Sequence, residues 1–311
     1  NLDIGNVETV LDDLMDACYY LTFEKKHYRF SLKENLNKRF ADRRASVSDE
    51  DIDKKVHEQI QDVFAPSDGV ERIFFPDKSG QIPDRPVISL VIMKPEQSIQ
   101  DDKKIQQNIE TMIREYGKSA RTYKSALIWV VPETSSVLRE EARKFIAWST
   151  IADEGLKLDE IQDRQLKRNV KTSKSELKES VWRTYKNVML LNKDNTIQTT
   201  DLGIPTSSSA ESLTKFILMF LRQTNDIEKS VSPRFLVRNW PPAFSEWNTK
   251  AVRDAFYASP QFPRLIDSDA IKDTIARGAA EGHIAYVGKA PDGNYSPFIY
   301  KKSLDAMDVE I

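Results

Sequence analysis

The sequence predicts an α/β fold with added helical segments: a small parallel or mixed sheet layered with helices, joined to a long basic helix. Three observations predict it. Ala126–Val131 is an unbroken run of six apolar residues. A strand with one wet face alternates apolar and polar side chains, so an unbroken run reads as a strand covered on both faces. Pro132 stops the run and a helical pattern follows it, which is the basic α/β unit. Pro86–Met93 is a second strongly apolar run, separated from the first by a helical stretch. That β-α-β order implies a right-handed parallel crossover.

Taken in order, Val7, Val10, Leu11, Leu14, Cys18 and Leu21 recur at helical spacing, and Tyr19, Tyr20, Phe23, Tyr28 and Phe30 form an aromatic cluster after them. Leu32, Leu36 and Phe40 suggest another helical stretch. Ser48 with Asp51 resembles a cap, and Ile52, Val56, Ile60 and Val63 follow on one face, so residues 1–64 read as mainly helical. Pro66-Ser67-Asp68-Gly69 marks a boundary. Val70–Phe75 is a short strand, Asp77–Asp84 a loop, and Ile99–Tyr116 a helix that Gly117 ends. After the central strand, Thr134, Ser135 and Ser136 offer N-caps. Val137, Ala142, Phe145, Ile146 and Trp148 make the next helix mostly buried.

From Leu158 the pattern is helical again: Leu158, Ile161, Leu166, Val170, Leu177, Val181, Tyr185 and Val188 lie on one stripe, one long helix or two in succession to about Leu191, with lysines and arginines on much of the other face. Asn192–Ser209 is a polar loop with room for a strand at Thr196–Thr200, and Ala210–Thr224 is a buried helix. Phe235–Val237 reads as a short strand. Asn248 or Thr249 caps a helix holding Val252, Ala255 and Phe256. Ser268 caps Asp269–Glu281, and Gly282 ends it. His283–Gly288 and Ser296–Lys301 are two strands around a KAPDGNY turn. Helices followed by a β-hairpin with a basic tip is the order of a winged helix. The expected divisions are therefore 1–64 (helical), 65–155 (α/β layer), 156–229 (helical arm) and 230–311 (winged-helix-like).

At 311 residues the chain is long enough for two or more domains. Its net charge of −2 is unevenly spread: residues 1–64 hold 14 acids and 10 bases, 157–186 hold 5 and 9, and 232–302 hold 7 and 10. An anionic partner is therefore sought in the second half. Lys250, Arg253, Lys272, Arg277, His283 and Lys289 are the candidate DNA contacts at the winged end. Asp273, one turn before Arg277, offers it a surface ion pair instead. Arg164, Lys167, Arg168, Lys171 and Lys174 form a second basic face that could track a phosphate backbone.

Other chemistry finds less support. Gly117-Lys118-Ser119 looks like the end of a phosphate loop, but position 112 is Met and a helix precedes it, so no complete P-loop is present. His27, His57 and His283 are scattered without metal-ligand spacing. The single cysteine, Cys18, reads as a core residue, which excludes a disulfide framework and fits a reducing cytoplasm. Phe216–Leu221 is too short to cross a bilayer. Glu133 stands at the carboxyl end of the central strand, where a catalytic acid often sits; the bland alternative is a carboxylate near a helix N-terminus.

Four stretches carry a resemblance: YRFSLKENLNKRFADRR (28–44), ALIWVVPETSSVLREEARKFIAWSTIAD (126–153), DEIQDRQLKRNVKTSKSELKESVWRTYKNVML (159–190) and VRNWPPAFSEWNTKAVRDAFYASPQFPRLIDSDAIKDTIARGAAEGHIAYVG (237–288). They resemble the carboxyl-terminal part of the large AAA-type ATPases of domain of unknown function four-ninety-nine, which are similar to ATPase components of phage-growth-limitation and related defence islands. The resemblance implies that ATP and Mg bind an amino-terminal P-loop module. No catalytic residue carries over to this chain, which begins at Asn1 already in a helical pattern and reads as a piece of something longer. The first expectation is then a non-catalytic region, cytoplasmic, that couples the ATPase to DNA. The second is an assembly module for sister subunits or other defence proteins, with Trp240, Trp247, Tyr257 and Phe262 as exposed anchors. The third is an enzyme working at Glu133.

Overall fold

The computed structural model describes residues 4–18, 20–24, 27–30, 35–291 and 293–311. Tyr19 of the expected aromatic cluster, Leu32 of the expected helical stretch and Asp292 of the hairpin turn lie outside them. The chain divides into two compact units, Asn1–Val63 with Thr134–Thr184, and Phe64–Glu133 with Tyr185–Ile311. The helix after the central strand, expected in the α/β layer, thus belongs with the amino-terminal helices, as does the basic helix.

The first unit begins with α1 (Ile4–Ala17) and a hairpin of β1 (Leu21–Glu24) and β2 (His27–Phe30), which was not expected in a mainly helical region. Leu21 therefore ends up in a strand, while Val7, Val10 and Leu14 of the helical stripe are exposed. Next come α2 (Leu36–Ser46) and α3 (Asp49–Val63). Asn35 caps α2 through its side-chain oxygen, and the Ser48 hydroxyl accepts the Asp51 N–H at 3.1 Å, as the cap spacing predicted. Ile52, Val56, Ile60 and Val63 are buried on one face of α3.

In chain order, the second unit then supplies β3 (Val70–Phe74), β4 (Ile88–Ile92), α4 (Asp102–Arg114), the two-residue strands β5 (Glu115–Tyr116) and β6 (Ser119–Ala120), and β7 (Leu127–Val131). The first unit resumes with α5 (Ser136–Asp153) and α6 (Glu160–Thr184). There α5 packs on α2, α3 and α6. Leu36, Ile151 and Leu166 form a buried cluster, and the Phe40 and Trp148 rings stack at 4.3 Å. Val137, expected inside, is exposed in the first turn of α5. Salt bridges tie the same helices: Arg39 and Arg43 reach Glu154 at 2.8 and 2.5 Å, and Arg139 pairs with Asp49 at 3.1 Å and with Asp53.

The basic helix ends at Thr184 rather than near Leu191. Asn187–Leu191 is instead β8, buried at all five positions, and β9 (Ile197–Asp201) follows. The sheet runs β3-β4-β7-β8-β9; its first three strands are parallel and the last two pairings antiparallel, so it is mixed. Every residue of β4, β7 and β8 is buried. On one face Val91, Leu127, Trp129, Val131 and Met189 form a core with Ile105, Ile109, Met112 and Ile113 of α4.

Gly117 ends no helix. It takes its positive φ (+62°) in the turn between β5 and β6, which disposes of the phosphate-loop reading on geometry as well as on spacing. The fully buried Arg121 staples this corner. It donates to the carbonyls of Met112, Pro83, Ser79 and Ile82 at 2.9–3.1 Å.

The carboxyl-terminal part contains α7 (Leu213–Gln223), β10 (Ile227–Glu228), α8 (Pro233–Arg238), α9 (Thr249–Ala258), β11 (Arg264–Leu265), α10 (Asp269–Glu281), β12 (Tyr286–Lys289) and β13 (Tyr295–Ile299). The expected strand at Phe235–Val237 is helix: Pro233 opens it at its first turn, where a missing N–H costs nothing. Asn248 caps α9, and Gly282 ends α10 at φ +75°. At the start of α10 it is the Asp267 carboxylate, not Ser268, that accepts the Asp269 N–H, at 2.8 Å. Among the described residues no helix is long and apolar enough to cross a membrane.

Candidate nucleic-acid interface

The six cations expected at the carboxyl-terminal end sit on α9, α10 and the β12–β13 hairpin, and most are already engaged. The Arg253 guanidinium donates twice to Asp254, at 3.0 and 2.7 Å. Lys272 lies 3.5 Å from Asp269. Arg277 does not pair with Asp273 but donates to the Val231 carbonyl at 2.8 Å, joining α10 to the segment before α8. His283 is 3.2 Å from Glu281, just before the hairpin rather than in it. Lys289 meets Glu246 at 2.6 Å, and the Tyr295 hydroxyl donates to the same carboxylate. The bond from Lys289 and then that from Tyr295 hold Glu246 below the ordinary glutamate value, while burial acts slightly against them. Lys250 is exposed; its backbone N–H donates to the Asn248 cap at 2.9 Å, and its side-chain ammonium has no partner among the described residues.

The second basic face is arranged differently. Arg164, Lys167, Arg168, Lys171 and Lys174 are all exposed on α6. Lys178, which the sequence reading passed over, extends the row by one more turn from Lys174. At 100° per residue the six fall within an arc of about 120°. Leu166, Ser173, Leu177 and Ser180 occupy the opposite, buried side. Arg164 and Lys167 have carboxylates one turn back, Glu160 at 3.9 Å and Asp163 at 2.7 Å. The side chains of Arg168, Lys171, Lys174 and Lys178 have no hydrogen-bond or ion-pair partner among the described residues. Ten residues of helix separate the first from the last, about 15 Å of axis.

Glu133 sits where expected, just past β7. Its carboxylate accepts from Asn187 Nδ2 at 3.0 Å and lies 3.6 Å from Lys186 Nζ, which also holds Asp201 at 3.0 Å. The bond to Asp201 is the main cause that raises the Lys186 pKa. The carboxylate thus joins the end of β7 to the start of β8.

Of the expected aromatic anchors one is buried and three are half-buried. Tyr257 is buried, and burial pushes its hydroxyl up to about 12. Phe262 contacts Phe256 (5.1 Å), Phe235 (5.6 Å) and Trp247 (6.2 Å), and the Trp240 indole N–H donates to the Phe244 carbonyl at 2.8 Å. Phe235 of α8 and Phe256 of α9 are thus linked ring to ring with the half-buried Phe262 and Trp247. The exposed aromatics of this region are instead Phe244, Tyr295, Phe298 and Tyr300. No family model, curated protein or solved structure matches the chain.

Proposed function

We propose that this chain is a non-catalytic nucleic-acid-binding region, of the kind its resemblance to AAA-type defence ATPases implies, and that it couples such an ATPase to DNA. The observation that carries the reading is the row of unpartnered cations on α6. One strand of duplex DNA presents a phosphate about every 3.4 Å of axis, so 15 Å of helix faces about four of them. Four unpaired cations meet four phosphates without first breaking an internal ion pair. In this reading α9, α10 and the hairpin form the winged-helix-like end and act as a secondary contact through Lys250. Its other cations must give up Asp254, Asp269, Glu281, Glu246 or the Val231 carbonyl to reach a phosphate.

A labelled duplex titrated with the chain and followed by fluorescence anisotropy tests this. Four phosphate contacts give a log–log salt slope of about −3.6. A fourfold rise in salt then weakens binding by about 150-fold. No binding at low salt, or binding that ignores salt, refutes it. The assembly reading draws support from the exposed aromatics at 244, 295, 298 and 300. It predicts instead that sedimentation changes with protein concentration while DNA binding is absent.

A further inference from the structure

We infer that the cavity beside Arg264 is a binding site for a small molecule carrying a single carboxylate. Arg264 lies in β11, which pairs in parallel with β10, and is only 7% exposed. A guanidinium has five N–H donors and no acceptor. The Arg264 Nε donates to the Ser125 carbonyl at 2.9 Å and Nη2 to the Leu191 carbonyl at 2.5 Å. Neither Nη1 nor the second hydrogen of Nη2 has an acceptor among the described residues, and no carboxylate there lies within ion-pair distance. Arg121 shows what a purely structural arginine looks like in the same fold: its Nε, Nη1 and Nη2 donate four bonds to four carbonyls. Nη1 is not among the buried side-chain atoms left without a partner, so this free edge is open to solvent, where an acceptor from outside the chain can reach it.

The cavity has the room for one. Arg264 lines a space of about 520 Å³ bounded by the turn between β8 and β9, the segment 225–232 and residues 260–264. That is within the usual range for small-molecule sites. Its charged lining residues are Arg264 and Lys193 against Asp226 and Glu228. Two cations balanced by two carboxylates disfavour a dianion such as phosphate. The planar fork of the guanidinium matches the two oxygens of a carboxylate. Burial lowers the Arg264 pKa to about 10, with Asp226 acting in the opposite direction, so the group is cationic at neutral pH. The site is independent of the nucleic-acid reading and stands or falls separately.

The test uses the whole chain labelled with ¹⁵N-arginine, following the Arg264 Nε–H resonance during titration with acetate, inorganic phosphate or chloride at constant ionic strength. A saturable shift with acetate, a weaker one with phosphate and none with chloride is expected. Asp226→Asn removes a repelling charge from the cavity and should tighten acetate several-fold. Arg264→Lys keeps the charge but loses the fork and should weaken acetate at least tenfold, read by protection against thermal unfolding. If Arg264→Lys does not fold, the Asp226→Asn comparison decides alone. No saturable shift with acetate, tighter binding of phosphate than of acetate, or an Asp226→Asn variant with unchanged acetate affinity overturns the proposal.

Discussion

Lys171→Gln separates a functional charge from a structural one, because it should make the protein more stable and a poorer DNA binder at once. Lys171 stands one turn from Lys167, Arg168 and Lys174 on α6, and none of these contacts is attractive. Like charges at this spacing cost an isolated helix about 0.2–0.5 kcal/mol per pair. Relieving three such pairs gains about 0.6–1.5 kcal/mol at low ionic strength, less whatever solvent screening removes. Glutamine has nearly the same helix propensity as lysine, so the backbone contributes little to the change. The same substitution removes one phosphate contact and should make the salt slope shallower by about 0.9. Urea unfolding at low salt measures the first effect, and anisotropy titration at several salt concentrations the second. A variant that is destabilised refutes the idea that the row is held against its own repulsion. An unchanged salt slope refutes the assignment of Lys171 to the contact.

Other positions give sharper structural tests. Arg121→Met leaves four carbonyls without their donor and should cost about 3–5 kcal/mol in urea unfolding; a loss under about 1 kcal/mol would mean the guanidinium is dispensable. At Gly69 φ is +72°, and an added Cβ would stand 2.5 Å from Ile266 Cγ2 and 3.0 Å from the Ile266 carbonyl oxygen. Gly69→Ala should therefore cost about 1–3 kcal/mol, and a neutral or stabilising result would place the turn elsewhere. Burial acts to raise the Asp201 pKa, but the bonds from Lys186 and the Gly203 N–H outweigh it and hold the carboxyl below its ordinary 3.8. A depressed acid stabilises the fold above its unfolded pKa, so this contribution is present above pH 3.8 and lost as the pH falls below it. The side chain is half exposed, so the amount is under about 1 kcal/mol. Asp201→Asn should flatten that part of the stability–pH curve, and an unchanged curve would show that the Lys186 contact is not formed.

The sheet was legible where a strongly apolar run lay against a proline. Ala126–Val131 before Pro132 and Pro86–Met93 both place strands within two residues of their bounds. β8 was missed because Tyr185 and Val188 keep helical spacing with Val181, so the period ran through the end of α6. The overlooked signal was the unbroken run Val188–Leu191, the same feature that marks β7. Short elements failed for want of length: β1 and β2 have four residues each, and α8 was taken for a strand although Ser232 and Pro233 mark a helix start. The basic face of α6 could be read from Arg164 to Lys174 because its spacing is local; Lys178, one turn on from Lys174, obeys the same rule but was passed over. The pairing of Lys289 with Glu246, of Arg277 with the Val231 carbonyl, and the burial of Arg264 depend on tertiary neighbours that no local pattern shows.

Charge counting and charge pairing rank the two basic regions differently, and pairing is the better guide. Residues 232–302 carry a surplus of three bases, close to the surplus of four in 157–186. A phosphate gains little from a lysine that must first leave a carboxylate, because the exchange trades one exposed ion pair for another. A lysine held among other cations gains twice, from the phosphate and from the relief of its neighbours' repulsion. Arg168, Lys171, Lys174 and Lys178 are in that second state, while of the other charges on α6 Glu160 and Asp163 sit beside Arg164 and Lys167 and Glu176 pairs with Arg183. A helix selected for stability alone would alternate acids with these bases at one-turn spacing. Leaving the row unneutralised costs stability, and in the proposed reading an anionic partner would return it, so the affinity of α6 for DNA would be tied to the stability the helix forgoes without one.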